Sequence, residues 1–158
     1  ESIVPAKPTF SVDTTVLGRL LDASIIPVVC PVGIGADGEL YNVNADEAAS
    51  HIAMELRAEK LFVLTNVRGI MKEKGNPDTL YGSLSMVDTE VLIEKGIVSA
   101  GMIPKTRACM KALENKVKKA HIINSNLAHA LLLEIFTDKG IGTEITKLGR
   151  RTKATEGL

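Results

Sequence analysis

Charge of one sign is what this sequence most plainly lacks: 19 Lys and Arg are matched by 19 Asp and Glu, for a formal net charge of +0. A balanced chain offers neither the broad positive potential that nucleic-acid binding draws on nor an acidic tail, so any anion site must be local. Long apolar runs are lacking too. The best, residues 25–32, is short and interrupted by Pro27, well under the roughly 20 residues that cross a bilayer, and no membrane partner is expected. Cysteine is scarce, with only Cys30 and Cys109 in apolar or helical surroundings, and residues 1–10 hold no charged-then-apolar leader. These features predict an unsecreted, thiol-reduced, cytoplasmic protein. Metal-ligand spacing is missing as well. His51 and His121 have no spaced Cys, His or Asp partners and read as structural, so no metal cage is expected.

What is present is enough for one domain. The chain has 158 residues, 45% of them hydrophobic, which suffices for one core and not comfortably for two. Residues 1–13, opening with two prolines and little periodicity, read as a linker or a truncated edge; residues 147–158 have no face to bury and read as a flexible tail. Between them, spacing predicts a helix over 14–23, with Val16, Leu17, Leu20 and Leu21 on one face, and a buried strand over 25–32. A turn-forming loop over 33–38 follows, then a helix over 46–56 and a second buried strand over 60–64. Further on come helices over 88–95 and 104–115, the latter with Ala108, Ala112 and Leu113 inward, a strand over 120–123 and a Leu-rich helix over 128–136. Apolar strands without clean alternation, separated by helices, indicate an α/β fold with a largely parallel sheet covered on both faces.

Three segments carry chemistry. In Tyr41-Asn42-Val43-Asn44-Ala45-Asp46, amides alternate along an extended stretch and a carboxylate opens a helix. A purely structural reading is good here: Asn44 caps the helix and Asp46 complements its dipole, worth about 1–2 kcal/mol together. In Ala100-Gly101-Met102-Ile103-Pro104-Lys105, Pro104 suits the first helical position and so puts Lys105 in the first turn. A cation there costs about 0.3–1 kcal/mol unless an anion such as phosphate lies between it and the helix end. Neither a Walker A loop nor a dinucleotide glycine fingerprint accompanies it. Leu64-Thr65-Asn66-Val67-Arg68-Gly69-Ile70 leaves the second strand at its carboxyl end, where open α/β sheets bind ligands; the plain alternative is a strand exit capped by Asn66.

Taken jointly, PVVCPVG, YNVNADEAA, AEKLFVLTNVRGI, AGMIPKTRAC and HALLLEIFTDKGIGTEI resemble, in order and spacing, the acetylglutamate kinases of the amino-acid kinase family over about residues 14–145. The resemblance implies a three-layer αβα sandwich with a mostly parallel central sheet, of which this chain matches the C-terminal, nucleotide-binding half. It implies transfer of the γ-phosphoryl group of ATP to the side-chain carboxylate of N-acetyl-L-glutamate, in arginine biosynthesis. Mg2+ would be bound through the nucleotide phosphates. By the same resemblance, Lys105 stabilises the transferring group and Asp46 orients Lys105. Asn42 and Asn44 serve the substrate, while Thr65, Asn66, Gly69, Ile70, Gly101 and Met102, with the stretch 97–102, serve the nucleotide. His129, Glu134, Gly140 and Gly142 resemble the arginine-feedback segment of hexameric members, which also implies a homo-oligomer.

The chain departs from the family pattern at Asn66, where aspartate is usual, at Ala100, where glycine is usual, and at Asn124-Ser125-Asn126, where Asp-Gly-Arg is usual. Altered nucleotide affinity or magnesium preference and an adjusted phosphate loop are the expectations for the first two; the third removes both charges and the flexible glycine from the loop that precedes the arginine-feedback helix. The N-terminal lysine, glycine pair and substrate-binding arginine of the family are not in the chain, so catalysis by it alone is expected to be severely impaired. Two alternatives stay open: a sibling such as a glutamate 5-kinase or aspartokinase, and a non-catalytic remnant that binds nucleotide or arginine.

Overall fold

The computed structural model describes residues 11–137 and 140–148. Most of the expected linker at 1–13 and most of the expected tail at 147–158 therefore lie outside the described residues. The core is a four-stranded sheet ordered β3-β5-β6-β4, made of β3 (Lys60–Thr65), β5 (Lys119–Asn124), β6 (Thr143–Thr146) and β4 (Ser83–Ser85). β3 runs parallel to β5 and β4 parallel to β6, while β5 and β6 are antiparallel. The sheet is thus mostly parallel, within an α/β fold.

Its two faces differ in cover. Leu61, Val63, Ala120, Ile122 and Ile145 share a face by the period-two rule, and they form one apolar cluster with Leu92 of α3 (Met86–Glu94) and Cys109, Ala112 and Leu113 of α4 (Ile103–Glu114). α2 (Ala45–Glu55) packs against both α4 and β3. The opposite face carries Phe62 and His121, whose rings stack with centroids 4.7 Å apart, and is covered by the short α5 (Ala130–Phe136). α3 starts at a full capping box, in which Ser85 Oγ accepts from the Asp88 N–H and the Asp88 carboxylate accepts from the Ser85 N–H. Each helix entry of this kind is worth about 1 kcal/mol.

The amino-terminal segment departs from expectation. α1 (Thr15–Asp22) forms where the periodicity places it, but none of its residues is buried. Residues 25–30 form no strand; Ile26 is 87% and Val28 95% exposed. Only β1 (Val32–Ile34) follows, paired antiparallel with β2 (Leu40–Asn42) across the turn at Asp37 and Gly38, so the expected loop is a small hairpin. The apolar run lacks a ladder partner among the described residues, and a run of β-branched side chains is buried only where a neighbouring strand or helix covers it.

Candidate functional site

The carboxyl ends of β3 and β5 lie side by side, because a parallel pair in register brings its exits to the same edge. Ser125 ties the two exits together: its N–H and its hydroxyl both donate to the Thr65 carbonyl, at 2.7 and 3.0 Å. The Asn126 N–H donates to Asn124 Oδ1 at 2.9 Å. The uncharged Asn124-Ser125-Asn126 stretch therefore forms a self-bonded turn at this edge.

α4 begins at the same edge. Met102 is its N-cap residue, without a side-chain cap, and Thr65 Oγ1 lies 3.8 Å from the Met102 sulfur. Pro104 is accordingly the second helical residue rather than the first, and Lys105 is the third, still in the first turn. The anion that relieves this cation is part of the protein. Lys105 Nζ donates to both carboxylate oxygens of Asp46, each at 3.0 Å, from the first turn of α2. Both side chains keep about a quarter of their surface open, 27% and 20%, so the ammonium is fixed in direction and still reachable. One turn further along α4, burial pushes the Cys109 thiol up to about 12. It stays protonated and offers no nucleophile.

Asn44 is the N-cap of α2, its Oδ1 accepting from the N–H groups of Asp46 and Glu47 at 2.9 and 3.2 Å. The cap thus orients the same turn that presents Asp46 to Lys105. Asn42 lies two residues earlier at the exposed end of β2.

A cavity of about 300 Å³ adjoins the start of α4, lined by Val67, Gly69, Ile70, Met71, Lys72, Lys74 and, from the α3–α4 connection, Gly96, Ile97, Val98, Ser99 and Met102. It joins the two expected nucleotide stretches, and Gly69, Ile70 and Met102 of the expected set line it. Asn66 and Gly101 are exposed and do not. Gly69 passes so close to β6 that a Cβ would sit 2.5 Å from Thr143 Oγ1, at φ +153°; the Ile70 N–H donates to the same hydroxyl at 2.9 Å. At Ala100 the backbone does not enter the positive-φ region, so its Cβ is accommodated without backbone strain. Lys72 and Lys74 escape spacing arguments; their one signal is a Lys-Glu-Lys alternation ahead of the turn at Gly75.

The remaining four residues divide. Glu134 is buried, and its carboxylate accepts from the N–H groups of Ile141 and Gly142 at 2.6 and 3.0 Å and lies 2.8 Å from His121 Nδ1. Burial raises its pKa, but the imidazole and the two N–H groups outweigh that and hold it below the ordinary glutamate value. Gly140, at φ +62°, has its Cβ position 2.9 Å from the same carboxylate. His129 is exposed at the entry of α5, with φ +57° and no side-chain cap. So Glu134, Gly140 and Gly142 meet, with His121 as their fourth member. His121, whose surroundings in the sequence read as structural, has a carboxylate partner that spacing does not reveal.

Among the described residues no three His, Cys, Asp or Glu side chains are grouped to hold a metal ion, and no helix is long and apolar enough to cross a membrane.

Residues 5–124 match the model of the amino acid kinase family. The chain is 52% identical over 135 residues to the acetylglutamate kinase of Aquifex aeolicus (strain VF5), covering 85% of this chain and 44% of that protein. It is 49% identical over 139 residues to the acetylglutamate kinase of Methanocaldococcus jannaschii, covering 88% and 46%. The chain therefore spans less than half the length of these relatives. Among solved structures, N-acetylglutamate synthase from Neisseria gonorrhoeae, complexed with coenzyme A and L-arginine, superposes with a TM-score of 0.79 at 33% identity, over 87% of this chain and 31% of that one. Carbamate kinase from Giardia lamblia bound to AMP-PNP superposes at 0.65 with 23% identity, over 86% and 50%, a likeness of fold.

Proposed function

The chain belongs to the amino acid kinase family, and from that premise we propose that it supplies the nucleotide-binding half of an acetylglutamate kinase of arginine biosynthesis. In the reaction a side-chain carboxylate oxygen of N-acetyl-L-glutamate attacks the γ-phosphorus of ATP. The bond from that phosphorus to the β–γ bridging oxygen breaks, leaving N-acetylglutamyl 5-phosphate and ADP. A carboxylate is already the nucleophile, so no side chain need take a proton; the protein's work is positioning and neutralising charge. The observation that carries the reading is Lys105 in the first turn of α4, held at 3.0 Å by both oxygens of Asp46, near a cavity of about 300 Å³.

In this reading the base enters the cavity and the phosphates run toward the start of α4, whose N–H groups and dipole favour anions. Lys105 stabilises the charge on the transferring group. Asp46 is a positioning residue, with Asn44 fixing its turn and Asn42 offering an amide to the substrate. Asn44 Oδ1 is taken up by the helix cap and both Asp46 oxygens by Lys105, so Mg2+ would be held through the nucleotide phosphates. There it would supply neutralisation of phosphate charge. This work belongs in the cytoplasm, where ATP is abundant and Cys30 and Cys109 stay reduced. Arginine feedback would use the meeting point of Glu134, Gly140 and Gly142. A guanidinium arriving there must first displace His121 from the carboxylate, and His129 would have to turn in from the surface.

Calorimetric titration of the chain with Mg2+ and a non-hydrolysable ATP analogue tests the reading. Binding is expected, weakened about tenfold or more by Lys105→Ala, the size of a lost charge-assisted contact. Turnover is expected only after the part of an acetylglutamate kinase that this chain does not span is added. Turnover there with glutamate or aspartate in place of N-acetylglutamate would move the assignment to a sibling kinase. Failure of the folded chain to bind nucleotide would sink it.

A further inference from the structure

The cavity beside α4 is walled mostly by apolar groups, Val67, Ile70, Met71, Ile97, Val98 and Met102, yet Lys72 and Lys74 line it as well. Among the described residues neither has an ion-pair partner; the lysines bonded to carboxylates are Lys105, Lys118 and Lys119. Lys72 and Lys74 are both exposed, so water screens their mutual repulsion and both remain open to an anionic ligand.

The loop that carries them is firmly built. The Tyr81 N–H donates to the Ile70 carbonyl at 2.9 Å, the Lys72 N–H to the Thr79 carbonyl at 3.0 Å and the Glu73 N–H to Thr79 Oγ1 at 3.1 Å. A bridge between Met71 and Leu80 closes its base. The chain bends and turns through Lys72, Glu73 and Lys74, and both lysines line the cavity while Glu73 does not. Glu73, the carboxylate between them that could neutralise both, is engaged elsewhere, accepting from Asn76 Nδ2 at 3.0 Å. The hairpin thus presents its two cations to the cavity and keeps its own anion occupied.

We infer that Lys72 and Lys74 form an anion clamp for the phosphate chain of the bound nucleotide, a second cationic group besides Lys105. The inference rests on the nucleotide-binding reading above and deepens it. Met102 lines the cavity and caps α4, and Lys105 follows three residues later, about 4.5 Å along the axis. A ligand filling the cavity and reaching Lys105 must therefore be apolar at one end and strongly anionic at the other, as a nucleoside triphosphate is. The clamp grips phosphates that are charged before and after transfer. It acts on nucleotide affinity, whereas Lys105 faces the charge that moves.

The test is titration calorimetry on the full chain with adenosine, ADP and AMP-PNP in the presence of Mg2+, for the unaltered protein and for Lys72→Gln/Lys74→Gln, with folding of the variant checked by its urea midpoint. The double variant is expected to bind AMP-PNP about 10- to 100-fold more weakly, as for two lost charge-assisted contacts. Adenosine affinity should stay unchanged, and the salt dependence of AMP-PNP binding should become shallower. Lys116→Gln, beyond the other end of α4, should bind AMP-PNP like the unaltered chain. Equal AMP-PNP affinities for the unaltered protein and the double variant would overturn the clamp and leave the nucleotide reading standing. Parallel losses for adenosine and AMP-PNP would also overturn it, because the lysines would then be shaping the cavity rather than meeting phosphates. No AMP-PNP binding by the folded, unaltered chain would overturn both.

Discussion

Glu134 shows how much one carboxylate can hold together. It receives the N–H groups of Ile141 and Gly142 and faces His121 Nδ1 across 2.8 Å, so it joins α5, the loop before β6 and the middle of β5. Its other neighbours leave no slack. His121 Nε2 is buried without a hydrogen-bond partner among the described residues, 4.0 Å from Glu144 Oε2, and the ring lies on Phe62. Because the folded pKa of Glu134 lies below the ordinary 4.5, the ionised form stabilises the fold. That contribution is complete above about pH 4.5 and is lost as pH falls through the lower folded value. Glu134→Gln should cost about 1–3 kcal/mol near pH 7, since an amide nitrogen must face either a donor or the imidazole. The gap between the two urea midpoints should then shrink as the pH drops below 4.5. A gap that stays constant with pH would show that Glu134 acts through packing alone. Their pairing is not legible in the sequence, although the family resemblance singles out Glu134: the partners lie 13 residues apart on a strand and a helix, and only the chain's path brings them face to face.

At the scale of elements, legibility follows how much an element depends on its neighbours. α2, β3, α4 and β5 announce themselves through apolar spacing and lie within two residues of where that spacing puts them. β4 and β6 do not. Ser83–Ser85 has one apolar residue and Thr143–Thr146 reads Thr-Glu-Ile-Thr, too short and too polar to signal a strand, yet Leu84 and Ile145 are fully buried in the apolar cluster that includes Leu92 of α3 and Leu113 of α4. The Lys105–Asp46 contact, 59 residues apart, came from family resemblance and not from any local pattern. Glycine marks one site that pattern reading undervalues. A Cβ on Gly142 would lie 2.3 Å from the Ile122 carbonyl oxygen, where β6 turns in against β5. Gly142→Ala should therefore destabilise by about 1–3 kcal/mol, because backbone rather than a mobile side chain must give way. Denaturant unfolding checks it, and a loss under half a kilocalorie would mean that the β5–β6 edge opens freely. At the other extreme, α1 buries nothing, and its amides should exchange with solvent far faster than those of α4 or β5, as hydrogen exchange can show.

For the whole molecule, the distribution of burial separates two regions that composition treats alike. Residues 25–34 are as apolar as any strand in the sheet, yet Ile26, Val28 and Ile34 are 87%, 95% and 76% exposed, while Leu84 and Leu92 are fully buried. Hydropathy predicts that such a run is covered; what covers it is decided by chain that must be adjacent in space. The relatives are more than twice as long as the part they share with this chain. This makes a sharp contrast available. Val28→Lys removes almost no burial and should leave the urea midpoint of the chain where it is, while lowering any self-association driven by the exposed patch. Leu84→Ala, on the edge strand β4 but fully buried, should cost about 2–5 kcal/mol through lost transfer energy and the cavity left behind. Unfolding curves and sedimentation on both variants decide it. A large midpoint loss for Val28→Lys would mean that residues 25–30 are packed in the isolated chain after all, and that the four-stranded sheet is not the whole of its core.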